Sequence, residues 1–248
     1  MSAYTKILAA LGIGLASLLG TAQRSGAEQR PITAIDIALE QDATMIAHAE
    51  AVNARLLKEY PIDANIGSVK SFALDATHPA HVTLLQRYVR TADLGKLYAA
   101  VNKVLVKEKI GGWKLEAFKY SYIPWKTLGL ASIVIRPTDD LLRLQEELIY
   151  AVLPFSVATG TAAAFVSTRD ERDISQPTIE YVETFVSRQT GSHFSPHVTV
   201  GIATYKVLSG LLAEPFDDFT FAPASVSIYQ LGNNGTARTR LTGWEATP

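Results

Sequence analysis

Two tripeptides of identical sequence, His81-Val82-Thr83 and His197-Val198-Thr199, are the residues best suited to chemistry in this chain. Each opens a short apolar run and has a proline just upstream, Pro79 in one case and Pro196 in the other. Valine, leucine, isoleucine and threonine favour strands, so both runs are predicted to be strands. Alternate residues of a strand share a face, so each strand would present an imidazole and a hydroxyl side by side.

Two such strands facing one another across a cleft would bring two imidazoles and two hydroxyls around one small space. This set suits a tetrahedral phosphate, because hydroxyls can hold phosphoryl oxygens while imidazoles move protons. A histidine pKa of about 6.5 allows one ring to be neutral and the other protonated near neutral pH. A single motif would carry no weight, since a strand histidine is more often a polar residue at a sheet edge. The duplication favours a paired role.

The paired motifs resemble the signature of the two-histidine (2H) phosphoesterases, which include 2',5' RNA ligase-like proteins and cyclic nucleotide phosphodiesterases. The resemblance covers both motifs with their apolar flanks, His-Val-Thr-Leu-Leu and His-Val-Thr-Val-Gly-Ile, and the order of predicted elements. It implies an α+β, bilobal and pseudo-symmetric fold, in which two antiparallel sheets face a central cleft and the helices lie outside. The long interval between residues 81 and 197 departs from the compact members and implies inserted segments that bear on substrate choice.

The same resemblance implies a hydrolase, a metal-independent phosphodiesterase acting on small phosphodiesters such as 2',3'-cyclic nucleotides or short RNA ends. His81 and His197 would be the catalytic acid and base, in an order that the sequence does not assign. Thr83 and Thr199 would bind the phosphate. No cofactor is implied. The expected partner is a small nucleotide or an RNA end, and the expected oligomeric state is a monomer.

Two further residues share the faces of the motif pairs if the strands stay regular. Arg87 has the parity of His81 and could pair with a phosphate, while Tyr205 has the parity of His197 and could stack on a base. A solvated strand end fits both residues at least as well. Phe194, just before the second motif, is compatible with either a base-stacking wall or core packing.

Two other function classes stay open. One is a nucleotide-binding protein that keeps the phosphate site without turnover. The other is a histidine-based metal-binding protein, because His78 and His193 lie shortly before the motif histidines. No acidic residue adjoins either motif, and a metal site leaves the paired threonines unexplained, so this alternative is the weaker one.

The N-terminus has the pattern of a secretory signal peptide. Lys6 precedes an apolar run over residues 7–19, and small residues follow at positions 25–27. The run is short for a membrane span, which needs about 20 apolar residues. We therefore expect a signal peptide over residues 1–27, a single domain over residues 28–248, and a secreted or periplasmic protein without stable membrane insertion after cleavage. An N-terminal membrane anchor is the alternative.

Composition bounds the remaining possibilities. The chain has no cysteine, which excludes disulfides, thiolate metal ligands and a cysteine nucleophile. Its 248 residues are 48% hydrophobic, enough for one sizeable core. The net charge of −1 argues against binding long nucleic acid, which usually requires a basic face.

The apolar periodicity and the capping residues predict five helices and a hairpin. Besides the motif strands, alternation indicates a strand near residues 35–39 and several more toward the C-terminus. The turn sequence Gly232-Asn233-Asn234-Gly235 favours a hairpin. The predicted helices cover residues 43–60, 91 or 93 to 109, 138–153, 178–189 and 206–213.

Overall fold

The computed structural model describes residues 31–59, 73–74, 78–125, 127–169 and 171–246. Within these ranges the chain has the α+β fold that was predicted, with nine β-strands and five α-helices. The strands are β1 (Ile32–Gln41), β2 (His81–Arg90), β3 (Leu115–Trp125), β4 (Leu128–Ile135), β5 (Ser156–Val157), β6 (His197–Thr204), β7 (Phe219–Phe221), β8 (Pro223–Leu231) and β9 (Ala237–Glu245). The helices are α1 (Ala43–Glu59), α2 (Leu94–Glu108), α3 (Asp139–Val152), α4 (Gln176–Arg188) and α5 (Tyr205–Ala213).

The expectation of two separate antiparallel sheets is wrong. The strands in the described ranges form one nine-stranded sheet in the order β7-β3-β4-β6-β2-β1-β8-β9, with β5 paired to β2. Its two four-stranded halves meet at the motif strands β2 and β6, which pair antiparallel at Val82 and Val198. The motif strands are therefore adjacent. At this point the edge strand of each half pairs with that of the other, so backbone N–H and C=O groups that would be free at an open edge can find partners.

The main apolar core covers one face of this sheet. Val82 and Val198 are buried in it, in one cluster with apolar side chains of α1, α2, α3 and α5. Helix α4 lies instead on the face of the motif side chains, where the hydroxyl of Tyr88 in β2 donates a hydrogen bond to the carbonyl of Ile179 at 3.1 Å. The prediction that all helices lie outside the cleft is therefore wrong for α4, which forms one of its walls.

Threonine side chains cap the N-termini of helices α3 and α5. The hydroxyl of Thr138 accepts a hydrogen bond from the backbone N–H of Leu141 at 3.2 Å, which confirms the predicted start of α3. The hydroxyl of Thr204 accepts from the N–H of Val207 at 3.4 Å and caps α5. Because the capping residue Thr204 is also the last residue of β6, Tyr205 begins a helix and does not extend the motif strand.

A β-bulge follows each motif at the same distance. The extra residue is Leu84 in β2, relative to β1, and Val200 in β6, relative to β4. Each is the third residue after its motif histidine. A bulge reverses the alternation of side chains, so beyond residues 84 and 200 the faces of β2 and β6 exchange parity.

Gly201 follows the second bulge in a conformation that suits glycine. Its φ is +146°, and an added Cβ would lie 3.0 Å from Cδ1 of Leu56 and 3.2 Å from Nδ2 of Asn53 in α1. We expect Gly201→Ala to lower the free energy of unfolding by about 1–3 kcal/mol, measured by urea denaturation. Gly95→Ala in α2 is the matched control, since no atom other than those of its chain neighbours and its own helix backbone lies within 4 Å of its Cβ position, and it should be neutral or slightly stabilising. Equal stability of the two variants would contradict the strain assigned to Gly201.

Two predictions concern residues outside the described ranges. The signal peptide over residues 1–27 lies there, so export and the division into residues 1–27 and 28–248 stay predictions. Among the described helices, none is both long enough and apolar enough to cross a membrane.

Candidate active site

The antiparallel pairing of β2 with β6 brings the histidines and threonines of the two motifs close together. The antiparallel pairing at the motif valines puts His81 opposite Thr199. By the same register, His197 lies opposite Thr83. Directly opposed side chains in a sheet have Cβ atoms about 4.5–5.5 Å apart. All four predicted residues line a single cavity of about 480 Å³, as a shared phosphate site requires.

Both histidine rings are oriented by the backbone two residues earlier. Nδ1 of His81 is 2.7 Å from the carbonyl oxygen of Pro79, and Nδ1 of His197 is 2.8 Å from that of Ser195. A carbonyl oxygen only accepts hydrogen bonds, so each Nδ1 carries a hydrogen. Nε2 is therefore the nitrogen of each ring that can take up or release a proton at the cavity.

A buried carboxylate beside His81 is a site residue that sequence reasoning missed. Asp36 of β1 has no solvent exposure, and its Oδ2 lies 3.6 Å from Nε2 of His81. The same oxygen accepts hydrogen bonds from Oγ1 of Thr83 and Nε2 of Gln86, both at 3.0 Å. Among the described residues, Asp36 thus contacts the first motif and not the second, so the two halves of the site are chemically unequal.

The pKa values of the two imidazoles are shifted in opposite directions. Burial lowers the pKa of His81, but the nearby carboxylate of Asp36, helped by the Pro79 carbonyl, outweighs it, so the net shift is upward. Burial is the main cause of the lowered pKa of His197, and the charge of His81 lowers it further, against the Ser195 carbonyl, which raises it. Near neutral pH this favours a protonated His81 and a neutral His197.

The rest of the cavity combines an apolar wall with a few polar groups. Gln86 and Tyr181 contribute polar atoms. Burial, followed by the charge of Asp36, raises the pKa of Tyr181 to about 12, so its hydroxyl stays protonated and can donate a hydrogen bond. The apolar lining includes Leu74, Ile123, Leu130, Pro177, Phe185 and Phe194. Phe194 therefore serves both interpretations, because it is buried and also lines the cavity.

Arg87 and Tyr205 do not line this cavity, because neither motif strand keeps the regular alternation on which their expected positions depend. The bulge at Leu84 turns Arg87 away and puts Gln86 on the motif face in its place. Tyr205 lies beyond the second bulge and begins α5, where its ring packs against Tyr122 with centroids 5.7 Å apart.

His78 and His193 do not gather with the motif histidines into a metal-binding group. His78 lines the cavity and lies 3.3 Å from a guanidinium nitrogen of Arg238, while His193 is exposed in a short 3₁₀ turn. Across the described ranges, no cluster of three or more histidine, aspartate or glutamate side chains is placed to hold a metal ion.

No protein-family model matches the chain, and no curated protein matches it. Solved structures do match over most of its length. TT0787 of Thermus thermophilus has 13% identity and a TM-score of 0.48, covering 86% of this chain and 98% of its own. Escherichia coli LigT complexed with 3'-AMP has 11% identity and a TM-score of 0.41, covering 88% and 99%. A phosphoesterase has 13% identity and a TM-score of 0.38, covering 87% and 99%. The likeness to each is distant, so the residues of the cavity carry the functional interpretation.

Proposed function

We propose that this protein is a 2H-type phosphodiesterase that hydrolyses small phosphodiesters, such as 2',3'-cyclic nucleotides or short RNA ends, without a required metal. The observation that carries the proposal is the pairing of β2 with β6. It places two copies of one histidine–threonine pair around a single cavity, although the copies are far apart in the chain. Two unrelated strand histidines have no reason to meet in this way.

The chemistry follows from the two imidazoles and the two hydroxyls. One histidine removes a proton from the attacking water or ribose hydroxyl, and the other donates a proton to the leaving oxygen. Each such positioned group typically contributes about 10²- to 10⁴-fold in rate. The hydroxyl of Thr199 can donate a hydrogen bond to a non-bridging phosphoryl oxygen, whose charge shifts in the transition state, and that of Thr83 can do so if it gives up its bond to Asp36.

The size and lining of the cavity favour a small substrate. A volume of about 480 Å³ lies in the range of sites that enclose small molecules. Tyr181, Phe185 and Phe194 line it together with aliphatic side chains, and such surfaces suit the flat face of a nucleobase. We therefore place a cyclic mononucleotide ahead of a longer RNA end as the first substrate to test.

The activity should have a bell-shaped dependence on pH. The base must be neutral, so kcat/KM should fall on the acidic side as His197, whose pKa is lowered, becomes protonated. The acid must be protonated, so kcat/KM should fall on the alkaline side as His81, whose pKa is raised, loses its proton. The two limbs should therefore lie on either side of about pH 6.5, the ordinary histidine value. A profile that rises steadily through neutral pH to a plateau would contradict this prediction.

Hydrolysis of a panel of 2',3'-cyclic mononucleotides in the presence of a chelator tests the proposal. The control is the chain with both His81→Ala and His197→Ala, purified in the same way to detect contaminating phosphodiesterases. Turnover by the wild type alone would support the proposed function. Turnover that needs a divalent metal would contradict it. Tight nucleotide binding without turnover of any diester in the panel would favour the nucleotide-binding alternative.

A further inference from the structure

Asp36 is a buried ionisable side chain that lies behind the cavity lining, next to His81, on a strand that carries neither motif. It follows Ile35 and precedes Ile37 in β1, both of which are fully buried on the opposite face of the strand. Its Oδ2 accepts two hydrogen bonds, and its Oδ1 is buried without a hydrogen-bond partner among the described residues. A buried carboxylate with so little compensation is strongly stabilised by a neighbouring cation.

His81 is the neighbouring group that can supply that cation. Its Nδ1 donates to the Pro79 carbonyl, so in the neutral ring the lone pair of Nε2 would face the Asp36 carboxylate across 3.6 Å. A proton on Nε2 removes this repulsion and replaces it with an ion pair. The side chain of His81 is 18% exposed, so solvent screens the pair only weakly.

Several other charged and titratable groups lie around His81. Glu40 of β1 accepts hydrogen bonds from the hydroxyls of Ser225 and Tyr229 in β8 and lies 3.9 Å from Arg240 of β9. Tyr229 presents its ring to His81 with centroids 6.5 Å apart. Burial and the charge of Asp36 raise the pKa of Tyr181 in α4, and burial and the charge of His81 lower the pKa of His197 in β6. His78 lines the same cavity and lies 3.3 Å from Arg238.

His197 has no counterpart of Asp36. Its Nδ1 makes the same contact to the backbone as that of His81, but within the described ranges no carboxylate forms an ion pair with its ring. The two motifs are therefore alike in sequence and in backbone geometry, and they differ in one buried charge supplied by β1.

We propose, building on the proposed function, that Asp36 is a positioning residue that holds a proton on Nε2 of His81 and so reserves His81 as the general acid. His197 is then the general base. Its Nε2 takes a proton from the attacking water, the water oxygen forms a bond to phosphorus, and the bond from phosphorus to the leaving oxygen breaks. Nε2 of His81 gives its proton to that leaving oxygen, and solvent exchange afterwards removes the proton from His197 and restores the one on His81.

The test compares two thymidine 5'-phosphodiesters that differ only in the second ester group, methyl or p-nitrophenyl, so that in the methyl ester every possible leaving oxygen is an alkoxide that needs a proton. A p-nitrophenolate leaves without being protonated, so only the methyl ester needs the general acid. We expect Asp36→Asn to lower kcat for the methyl ester by roughly tenfold or more and for the p-nitrophenyl ester by less than about threefold. Glu40→Gln is the matched control, because it neutralises the other nearby carboxylate and should leave the ratio of the two rates near that of the wild type.

A second measurement tests the interaction of Asp36 with His81 directly and does not depend on substrate turnover. Imidazole titration by NMR should show a lower pKa for His81 in Asp36→Asn than in the wild type, with little change for His197. Equal losses for the two esters, or an unchanged His81 titration in a folded Asp36→Asn protein, would overturn the role of Asp36 while leaving the proposed function intact. A wild type that hydrolyses neither these esters nor a cyclic nucleotide would overturn the proposed function and the acid assignment with it.

Discussion

Replacing His197 with alanine should lower kcat/KM for a 2',3'-cyclic nucleotide by about 10²- to 10⁴-fold, the usual contribution of a positioned general base. His197 lines the cavity, its Nδ1 is held by the Ser195 carbonyl, and its lowered pKa keeps Nε2 available to accept a proton near neutral pH. The substitution removes the proton acceptor and leaves the buried carboxylate at Asp36 still paired. The fold should therefore survive, and the loss should lie mainly in kcat.

Replacing His81 with alanine should change stability as well as activity. It removes the cation that faces Asp36, and an uncompensated buried charge typically costs about 3–5 kcal/mol. We expect this variant to lose both activity and stability, whereas His197→Ala should lose activity with a nearly unchanged melting temperature. Steady-state kinetics and thermal unfolding on the same preparations separate the two effects. Activity of His197→Ala within about tenfold of the wild type would show that another group acts as the base.

The motif pair was predictable because its evidence is local. Repetition of one tripeptide at the head of two apolar runs indicated two equivalent strands, and both lie where the sequence pattern placed them. Helix positions were likewise accessible, since caps such as Thr138 act within a single turn. These features depend on neighbours in the sequence, so the sequence alone carries the necessary information.

The errors arose where register or tertiary contact decides the outcome. Counting alternate residues puts Arg87 on the face of His81 only if β2 is regular, and one extra residue at Leu84 reverses that count. Nothing in the two apolar runs marks the bulges, because Leu84 and Val200 are ordinary strand residues. The merging of the two sheets depends on one pair of residues, Val82 and Val198, from distant parts of the chain.

Asp36 was missed for a different reason, although the sequence does contain a signal for it. It is the single charged residue inside the run Ile-Thr-Ala-Ile-Asp-Ile-Ala-Leu, which otherwise reads as a buried strand. A charged side chain in such a run needs a partner, and a histidine elsewhere in the chain is a natural candidate. The sequence does not say which histidine, because the pairing of β1 with β2 rather than β6 decides it.

The two threonines of the motifs should also prove unequal. Thr83 Oγ1 donates its one hydrogen to Asp36, so this hydroxyl cannot donate to a phosphoryl oxygen without giving up that bond. The side-chain hydroxyl of Thr199 makes no hydrogen bond among the described residues, and Thr199 lines the same cavity. We expect Thr199→Val to lower kcat by about 10²- to 10³-fold, as for the loss of a donor to an oxyanion.

Thr83→Val should cost less in kcat and more in stability, because it deletes a hydrogen bond to a buried carboxylate worth about 1.5–3 kcal/mol. Thr199→Ser, which keeps the hydroxyl, should restore most of the activity that Thr199→Val loses. Kinetics of the three variants with one cyclic nucleotide, together with their unfolding free energies, test this asymmetry. A larger loss of kcat in Thr83→Val than in Thr199→Val would mean that substrate displaces Asp36 from Thr83. The charge on His81 would then be held by the bound phosphate as well as by the protein.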